Sequence, residues 1–376
     1  MRDVSDKMEP VVATYSKIGS YPEEDVKFLL KDLSSLSLEG ETESREKRIQ
    51  SGEHYSESLP IEYYPPEEYL ELFHRALQDY KTKVALHVGV VAEQIFKEKG
   101  ENTVLVSLAR AGTPIGILIK NYLKWKYGIT LPHYSISIIR GKGLDTNAVQ
   151  YILHSHPNGR IQFVDGWTGK GAISLTLSES CEQLKNMHGI ELDDTLAVVA
   201  DPGHCTTLFG TRDDFLIPSA CLNSTVSGLV SRTVLNQAFI GPNDFHGAKY
   251  YKELEEVDLS HHYIEAISKE FSKIENEVSE QLQERVQEDI HVTFSGYQTM
   301  KRIMAEFNLS DVNLVKPGVG ETTRVLLRRV PWKILVKDME SPYVQHILML
   351  CRERNVEIEL YPHMDYACCG LIKNVR

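Results

Sequence analysis

Residues 161–171 read Ile-Gln-Phe-Val-Asp-Gly-Trp-Thr-Gly-Lys-Gly, and this stretch indicates the fold class. Four mostly apolar residues lead into Asp165, and a helix-like run begins near Ala172. The loop between them contains Thr168, Gly169, Lys170 and Gly171. Loop N–H groups and a helix N-terminus favour a phosphate, and a strand-end acid binds ribose hydroxyls or a hydrated metal. The alternative is an ordinary strand-to-helix connector, because Gly-rich turns of this kind are common.

A second strand, turn and helix precede this segment. Residues 103–106 are β-branched and apolar, and residues 115–123 form an apolar, helix-like stretch. The turn between them reads Ser107, Leu108, Ala109, Arg110, Ala111, Gly112, Thr113, Pro114. Arg110 stands at the carboxyl end of the strand, where open parallel sheets bind ligands. The alternative for Arg110 is a side chain that caps a turn or pairs with a surface acid.

Strand-like and helix-like segments alternate through the middle of the chain, at 103–109, 114–125, 133–139, 146–154, 160–165, 171–187, 195–201 and 214–219. This order predicts an α/β domain with a mostly parallel sheet. Residues 263–287 are typical of a long helix with an apolar stripe at spacings of three and four. The stripe predicts either a packing seam within the chain or a homodimer contact.

Composition excludes several classes of protein. The apolar fraction of 42% suits a globular protein, and no run approaches the ~20 apolar residues of a membrane span. We therefore expect a cytoplasmic protein with no membrane partner, and the six scattered cysteines suit a reducing compartment. The net charge is −12, yet residues 311–376 carry ten lysines and arginines against eight acids. Contact with a polyanion is therefore expected to be local or C-terminal.

Together the two loops resemble those of the phosphoribosyltransferase fold. The resemblance implies that the early loop, Ala109, Arg110, Ala111 and Gly112, binds pyrophosphate, and that Thr168, Gly169, Lys170 and Gly171 bind a 5-phosphate. It implies that Asp165 binds ribose or, through water, Mg²⁺. A flexible hood would lie at residues 138–147, where Arg140 and Lys142 reach an anionic ligand. Phosphoribosyl pyrophosphate with Mg²⁺ is the implied ligand, and Asp165 and Arg110 are the implied catalytic residues.

The sequence departs from this pattern at one position that matters. Two adjacent acids are usual there, whereas Gly166 follows Asp165 in this chain, and the loop is about two residues shorter. One carboxylate holds ribose and metal less strongly than two. The main hypothesis is nevertheless a phosphoribosyltransferase-like enzyme that acts mostly by positioning its substrate.

Several longer phrases resemble one bacterial family, StiP. They are residues 54–56, 108–114, 163–171, 217–225 and 245–249. Members are described as cysteine proteases and also as phosphoribosyltransferase-like, and they occur in tellurite-resistance and stress gene clusters. The resemblance covers nearly the whole chain.

Residues 311–376 predict a separate small α/β unit. A helix start at 317–324 resembles the motif of the pelota RNA-binding domain, with Gly318, Gly320, Glu321 and Arg324 at the motif positions. Arg324 preserves the positive charge of that motif, whereas Gly320 lacks the side chain that would contact a base. The alternative is a solvated helix start. We predict an N-terminal extension at 1–55, the α/β domain at 56–245, a helical connector at 246–310 and the pelota-like domain at 311–376.

A cysteine protease needs a thiolate beside a histidine. Cys205 follows His204 directly, but adjacent side chains in an extended segment point apart, so a distant histidine such as His54 or His246 would be required. Cys221 is the other candidate nucleophile. The alternative for both is a buried, unreactive thiol. A cysteine hydrolase and a non-enzymatic nucleotide- or RNA-binding protein therefore remain alternatives to the transferase hypothesis.

Overall fold

The computed structural model describes residues 13–40, 48 and 52–372. We number the helices and strands of these ranges in chain order. The helices are α1 Glu67–Lys99, α2 Gly112–Tyr127, α3 Thr146–Ser155, α4 Ala172–His188, α5 Ser260–Ser268, α6 Phe271–Arg285, α7 Ser295–Glu306, α8 Val319–Arg328 and α9 Gln345–Glu353. The strands are β1 Lys27–Phe28, β2 Lys31–Asp32, β3 Glu39–Gly40, β4 Leu59–Pro60, β5 Thr103–Ala109, β6 His133–Ile139, β7 Gly143–Leu144, β8 Arg160–Trp167, β9 Ala197–Ala200, β10 Phe209–Thr211, β11 Gly247–Ala248, β12 Val315–Pro317, β13 Pro331–Val336, β14 Glu357–Leu360 and β15 Cys368–Ile372.

The main sheet has the strand order β1-β6-β5-β8-β9-β10, and β7 pairs with β6 at one end. All neighbours along this order are parallel, and only β7 is antiparallel. The predicted α/β class with a mostly parallel sheet is therefore confirmed. The chain leaves β5 to one side for β6 and later returns to the other side for β8. Ligands of open α/β sheets bind at such a switch point, outside the carboxyl ends of the strands.

Both faces of this sheet are buried, because successive side chains of its strands enter different apolar clusters. Val104, Val106 and Leu108 of β5 lie in one apolar cluster with residues of α3 and α4. Leu105 lies on the opposite face, in a cluster that contains α1 and α2. Because a strand directs successive side chains to opposite faces, this pattern anchors β5 between two helical layers and fixes where its carboxyl end emerges.

One continuous helix, α1, precedes β5 and begins after Pro66. One predicted segment near the sheet differs from the structure. A strand was expected at 214–219, but residues 218–221 form a 3₁₀ turn and β10 ends at Thr211. Pro218 explains the turn, because its ring fixes φ and it lacks the N–H that a central strand requires.

Part of the predicted N-terminal extension belongs to the α/β domain. β1 pairs with β6, and β2 pairs with β11 of residues 247–248. Residues 1–12, 41–47 and 49–51 of that extension lie outside the described residues. The domain boundaries stay predictions.

The apolar stripe predicted at 263–287 packs within the chain. The segment is two helices, α5 and α6, and both contact α1. The buried members of the stripe are Ile264, Ile267, Phe271, Ile274 and Val278. Val286, at its end, is 77% exposed. The structure therefore favours the packing seam, and the homodimer stays a prediction.

The C-terminal unit has a four-stranded sheet of order β12-β15-β13-β14. Apolar residues of α8 and α9 join the core of the main domain, including Leu326 and Ile347. The other face packs on α7 in a cluster that includes Met300 and Ile303. The predicted small α/β domain is therefore confirmed, and it is docked on the main domain through a shared apolar core. None of the helices in the described ranges is long and apolar enough to cross a bilayer.

Candidate functional site

A pocket of about 390 Å³ lies at the switch point between the carboxyl ends of β5 and β8. The loop after β5, the loop after β8 and the start of the C-terminal domain line it. It brings together the predicted residues Ala109, Arg110, Ala111, Arg140, Asp165, Thr168, Gly169, Lys170, Gly171, Glu321 and Arg324. Ligands of open parallel sheets bind at the carboxyl ends of the strands, and the two loops that were selected on this ground line one pocket.

The two loops approach each other so closely that a side chain at one position would not fit. A Cβ on Gly112 would lie 2.4 Å from the carbonyl oxygen of Val164. Gly112 therefore lies beneath the pocket and does not line it. Its role is to allow the β5 loop to pack against β8, so that Arg110 and Asp165 line the same pocket.

Arg110 follows β5 across a cis peptide bond with Ala109. Its guanidinium donates a long hydrogen bond of 3.4 Å to the carbonyl of Val230. Burial, together with the positive charge of Arg324, lowers the pKa of Arg110. The charge of Glu62 opposes this shift and compensates the guanidinium in part, but its one hydrogen bond is weak, so this position favours an anionic ligand.

Asp165 is a poor magnesium ligand in this structure. Burial raises the pKa of Asp165 to about 7, and its Oδ1 accepts a 2.8 Å hydrogen bond from the N–H of Gly166. No cluster of three or more His, Cys, Asp or Glu side chains exists among the described residues. A half-protonated single acid does not fit a divalent-metal site, which usually combines several oxygen donors. The predicted binding of Mg²⁺ with phosphoribosyl pyrophosphate has no support from this donor set.

The loop Thr168–Gly171 is held in place by several groups. Thr168 donates its hydroxyl to Asp201 and its N–H to the carbonyl of Ala200. The carbonyl of Gly169 accepts a 3.0 Å hydrogen bond from the Tyr366 hydroxyl. Lys170 donates through Nζ to the carbonyl of Val312 at 2.9 Å. The C-terminal domain therefore supplies two of the groups that fix this loop.

The N–H groups of this loop remain available at the start of α4. Gly171 has φ +81° and precedes the first helical residue, Ala172. Within the described part of the chain, no group accepts a hydrogen bond from the N–H of Lys170, Gly171 or Ala172. Unpaired N–H groups at a helix start stabilise a negative charge, on a phosphate or on an oxyanion.

The predicted hood is a short hairpin of β6 and β7. Gly141 and Gly143 have φ +75° and +93°, which permits the tight turn. Arg140 lines the pocket, and its guanidinium lies over the Tyr55 ring at 5.3 Å. Lys142, by contrast, is exposed and does not line the pocket. Its predicted contact with a ligand therefore has no geometric support, because the turn directs it away from the two loops.

The predicted RNA-binding residues face the main domain. Gly318 packs against Asp214, whose Oδ1 accepts a 2.9 Å hydrogen bond from the N–H of Val319. Arg324 donates through Nε to the carbonyl of Ala220 at 3.0 Å, and its guanidinium lies 5.4 Å from the Trp167 ring centre. Gly320 is also close to Trp167. The motif surface is thus part of the interface between the domains.

Sequence reasoning missed three residues of this region. Lys316 and Trp167 line the pocket, and Asp201 holds the loop after β8. Asp201 directly follows a buried strand, and Asp165 lies near the end of another. This shared position is the sequence feature from which Asp201 could have been predicted. Lys316 had no comparable signal, because only the docking of the two domains brings β12 to the pocket.

Cys205 lies directly behind the pocket. It is 5% exposed, and its Sγ is 3.9 Å from the carbonyl oxygen of Gly169. A Cβ on Gly171 would lie 3.1 Å from the same sulfur. Burial and the charge of Asp201 raise the pKa of Cys205 to about 12. The resting thiol is therefore protonated.

Cys221 is a less suitable nucleophile. It is fully buried in the turn at residues 218–221, and burial raises its pKa to about 12. The candidate histidines have other partners: Nδ1 of His54 hydrogen-bonds with Ser56, and Nδ1 of His246 with Ser137. In the ranges the structure describes, no histidine ring nitrogen hydrogen-bonds with a cysteine sulfur. A preformed Cys–His pair is therefore not part of this conformation.

Fold and pocket define a two-domain α/β protein with a cation-rich pocket between its domains. Residues 19–268 match the family model described as "Tellurite-like stress resistance cysteine protease StiP". Residues 294–374 match the model described as "PELOTA RNA binding domain". The chain is also 35% identical over 348 residues to "Cysteine protease StiP" of Acinetobacter baylyi (strain ATCC 33305 / BD413 / ADP1), covering 89% of this chain and 88% of that relative. The chain therefore belongs to the StiP family.

These matches correct the main functional hypothesis. The prediction of a phosphoribosyltransferase-like enzyme is wrong, because the family model and the relative are both named for a cysteine protease. The two loops were informative about where a pocket forms, but a switch-point pocket does not define a reaction. The predicted family resemblance, its stress context and the pelota-like domain are confirmed. The relative's name also supports the coarser prediction of an enzyme.

Proposed function

We propose that this chain is a cysteine hydrolase with Cys205 as its nucleophile. The observation that carries the proposal is the position of Cys205 beside Gly171, at the N-terminal end of α4. A helix N-terminus stabilises a thiolate, and free N–H groups there stabilise the oxyanion of an acyl intermediate. Of the two candidate nucleophiles, only Cys205 has both features beside it.

The proposed reaction follows from these groups. The thiol of Cys205 releases its proton to solvent, and the thiolate attacks a carbonyl carbon. A C–S bond forms, and the C–N bond breaks as the amine leaves with a proton taken up from solvent. Water then cleaves the thioester to a carboxylate and regenerates the thiol. The N–H groups of Lys170, Gly171 and Ala172 are the candidate donors to the oxyanion.

Residues 293–294, the segment just before α7, cover Cys205 in this structure. The N–H groups of Thr293 and Phe294 donate to the carbonyl of His204 at 3.1 and 3.0 Å. The Phe294 ring packs on Gly171, next to the sulfur. Activation therefore requires this segment to move, since the thiol titrates well above neutral pH while it is covered.

Phe294→Ala is expected to increase alkylation of Cys205 at pH 7.5 by about tenfold, since removal of the ring exposes the sulfur and lowers its desolvation cost. The measurement is mass spectrometry of each cysteine after timed exposure to iodoacetamide. Cys221 is an internal control, because it lies in a different turn and its alkylation should not change. Equal rates at Cys205 in the wild type and the variant would refute the covering role of Phe294.

A second candidate function is the binding of a small phosphorylated ligand in the pocket. The observation that favours it is the set of five cationic side chains in the pocket lining, Arg110, Arg140, Lys170, Lys316 and Arg324, against two acids, Asp165 and Glu321. Such an excess is unusual in a chain of net charge −12. The loop N–H groups would bind the phosphate, so this ligand and an acyl substrate would exclude each other.

Binding of inorganic pyrophosphate is expected to weaken as the pH rises. Burial, and then the charges of Lys316 and Arg140, lower the pKa of Lys170 to about 8. Lys170 is cationic below that value and loses its charge above it. Relative to Lys170→Arg, which stays charged, the wild-type affinity should fall about tenfold between pH 7 and pH 9.

Titration calorimetry of the wild type and of Lys170→Arg at each pH gives the ratio of their affinities for pyrophosphate. Protonation of pyrophosphate itself affects both proteins equally and does not change this ratio. A ratio that is constant with pH would mean that Lys170 does not contact the ligand.

A further inference from the structure

The helix start of the C-terminal domain is turned inward. Gly318 and Gly320 pack on Asp214, Ala220 and Trp167 of the main domain. Farther along α8, Arg328 donates to the side chain of Asn223 at 2.6 Å and to the carbonyl of Cys221 at 2.9 Å. Two charged residues of this docked motif, Glu321 and Arg324, line the pocket.

The position of the Lys316 side chain is not explained by a contribution to the stability of the fold. It lies on β12 at the pocket wall and is partly buried. In the described ranges its Nζ has no hydrogen-bond or ion-pair partner. Burial, followed by the charges of Arg140 and Arg329, lowers the pKa of Lys316. A partly desolvated cation without a partner destabilises a fold, and cations of this kind are retained where a ligand supplies the opposite charge.

Glu321 currently compensates part of this charge. Its carboxylate is 3.1 Å from the Arg324 guanidinium. Although burial opposes ionisation, the charges of Arg324 and Lys316 lower the pKa of Glu321. The Glu321 carboxylate thus lies among several cationic side chains and makes contacts that an anionic ligand would also make.

We propose that the C-terminal domain is the second wall of a phosphate-binding pocket, with Lys316 and Arg324 as ligand-binding residues. This inference rests on the second proposed function, and it adds that the ligand contacts both domains at once. Lys170 supports the same arrangement, because it joins the two domains through the carbonyl of Val312. Ligand binding therefore strengthens docking of the C-terminal domain. A small phosphorylated molecule is favoured over RNA because the pocket is about 390 Å³ and the motif surface is covered.

Two substitutions are expected to act in opposite directions on pyrophosphate binding by the full-length protein. Lys316→Ala should weaken binding about tenfold, because a charge-assisted contact is lost. It should leave the melting temperature nearly unchanged, because Lys316 loses no hydrogen bond or ion pair and the lost attraction to Glu321 is offset by the removal of a desolvated charge. Glu321→Gln should tighten binding severalfold, because it removes the carboxylate that competes for Arg324. Calorimetry measures the first quantity and differential scanning fluorimetry the second.

Lys301→Ala is the matched control, since Lys301 is an exposed lysine of α7 that does not line the pocket, and its Nζ lies over the Tyr297 ring. Its affinity for pyrophosphate should equal that of the wild type. Wild-type affinity in Lys316→Ala, with weakened binding in Lys170→Ala, would overturn this inference and leave the ligand-binding function intact. No pyrophosphate binding by the folded wild type would overturn both. Binding of a short RNA that Lys316→Ala abolishes and pyrophosphate does not displace would also overturn it, in favour of RNA.

Discussion

Serine in place of Cys205 is expected to reduce hydrolysis of fluorescently labelled casein on the order of a thousandfold or more, which is the scale of losing a covalent nucleophile. The hydroxyl of serine ionises far less readily than a thiol, and among the described residues no histidine ring nitrogen hydrogen-bonds with this side chain to act as its base. The substitution should not disturb the fold, since a serine hydroxyl can make the same contacts as the thiol, with the carbonyl of Gly169 and the side chain of Thr168. The measurement is the initial rate of casein hydrolysis by the two purified full-length proteins.

Cys221→Ser provides the matched control for this experiment. Cys221 lies in a buried turn and its sulfur does not line the pocket. The variant should hydrolyse casein at the wild-type rate, provided its melting temperature shows an intact fold. If the Cys205 variant retained full activity and the Cys221 variant lost it, the nucleophile assignment would be reversed. Retained activity in both would exclude a mechanism through either thiol.

Asp201→Ala is expected to lower the free energy of unfolding on the order of 3 to 5 kcal/mol. Asp201 is fully buried and accepts hydrogen bonds from the Thr168 hydroxyl and from the N–H groups of Cys205 and Thr206. It also forms an ion pair with Arg212. Alanine would leave the Thr168 hydroxyl and the two N–H groups without this acceptor, and it would leave Arg212 with backbone carbonyls only. Urea unfolding followed by circular dichroism measures the effect.

Asp213→Ala is the comparison for this stability prediction. Asp213 pairs with Lys83, but its side chain is 47% exposed. Solvent screens such a pair, so its loss should cost less than about 1 kcal/mol. Equal costs at the two positions would show that burial of Asp201 does not govern its contribution. Because Asp201 holds both the loop and Cys205, its variant should also lose casein hydrolysis in the folded fraction.

Local sequence was sufficient to identify the sheet and its pocket. Residues 103–109 and 160–165 are short apolar runs followed by small-residue turns, and they were predicted as strands whose ends bind a ligand. Both are central strands, and β8 extends two residues further, to Trp167. The prediction of the two strands was accurate because strand alternation and Gly-rich helix starts depend on neighbouring residues only; binding of a ligand at their ends stays a prediction. The reaction could not be inferred from the same residues, since many chemistries use a switch-point pocket.

Sequence patterns were enough to predict the α/β class, the position of Asp165 near the end of a strand with the loop Thr168–Gly171 after it, and the separate C-terminal α/β unit. Only the folded chain shows that the motif helix faces inward, that Lys316 completes the pocket, and that Cys205 is covered by Phe294. It also decided that the apolar stripe at 263–287 packs within the chain. These contacts join residues that are distant in sequence. Their geometry depends on how the apolar cores of the two domains pack together, and no local sequence pattern predicts that packing.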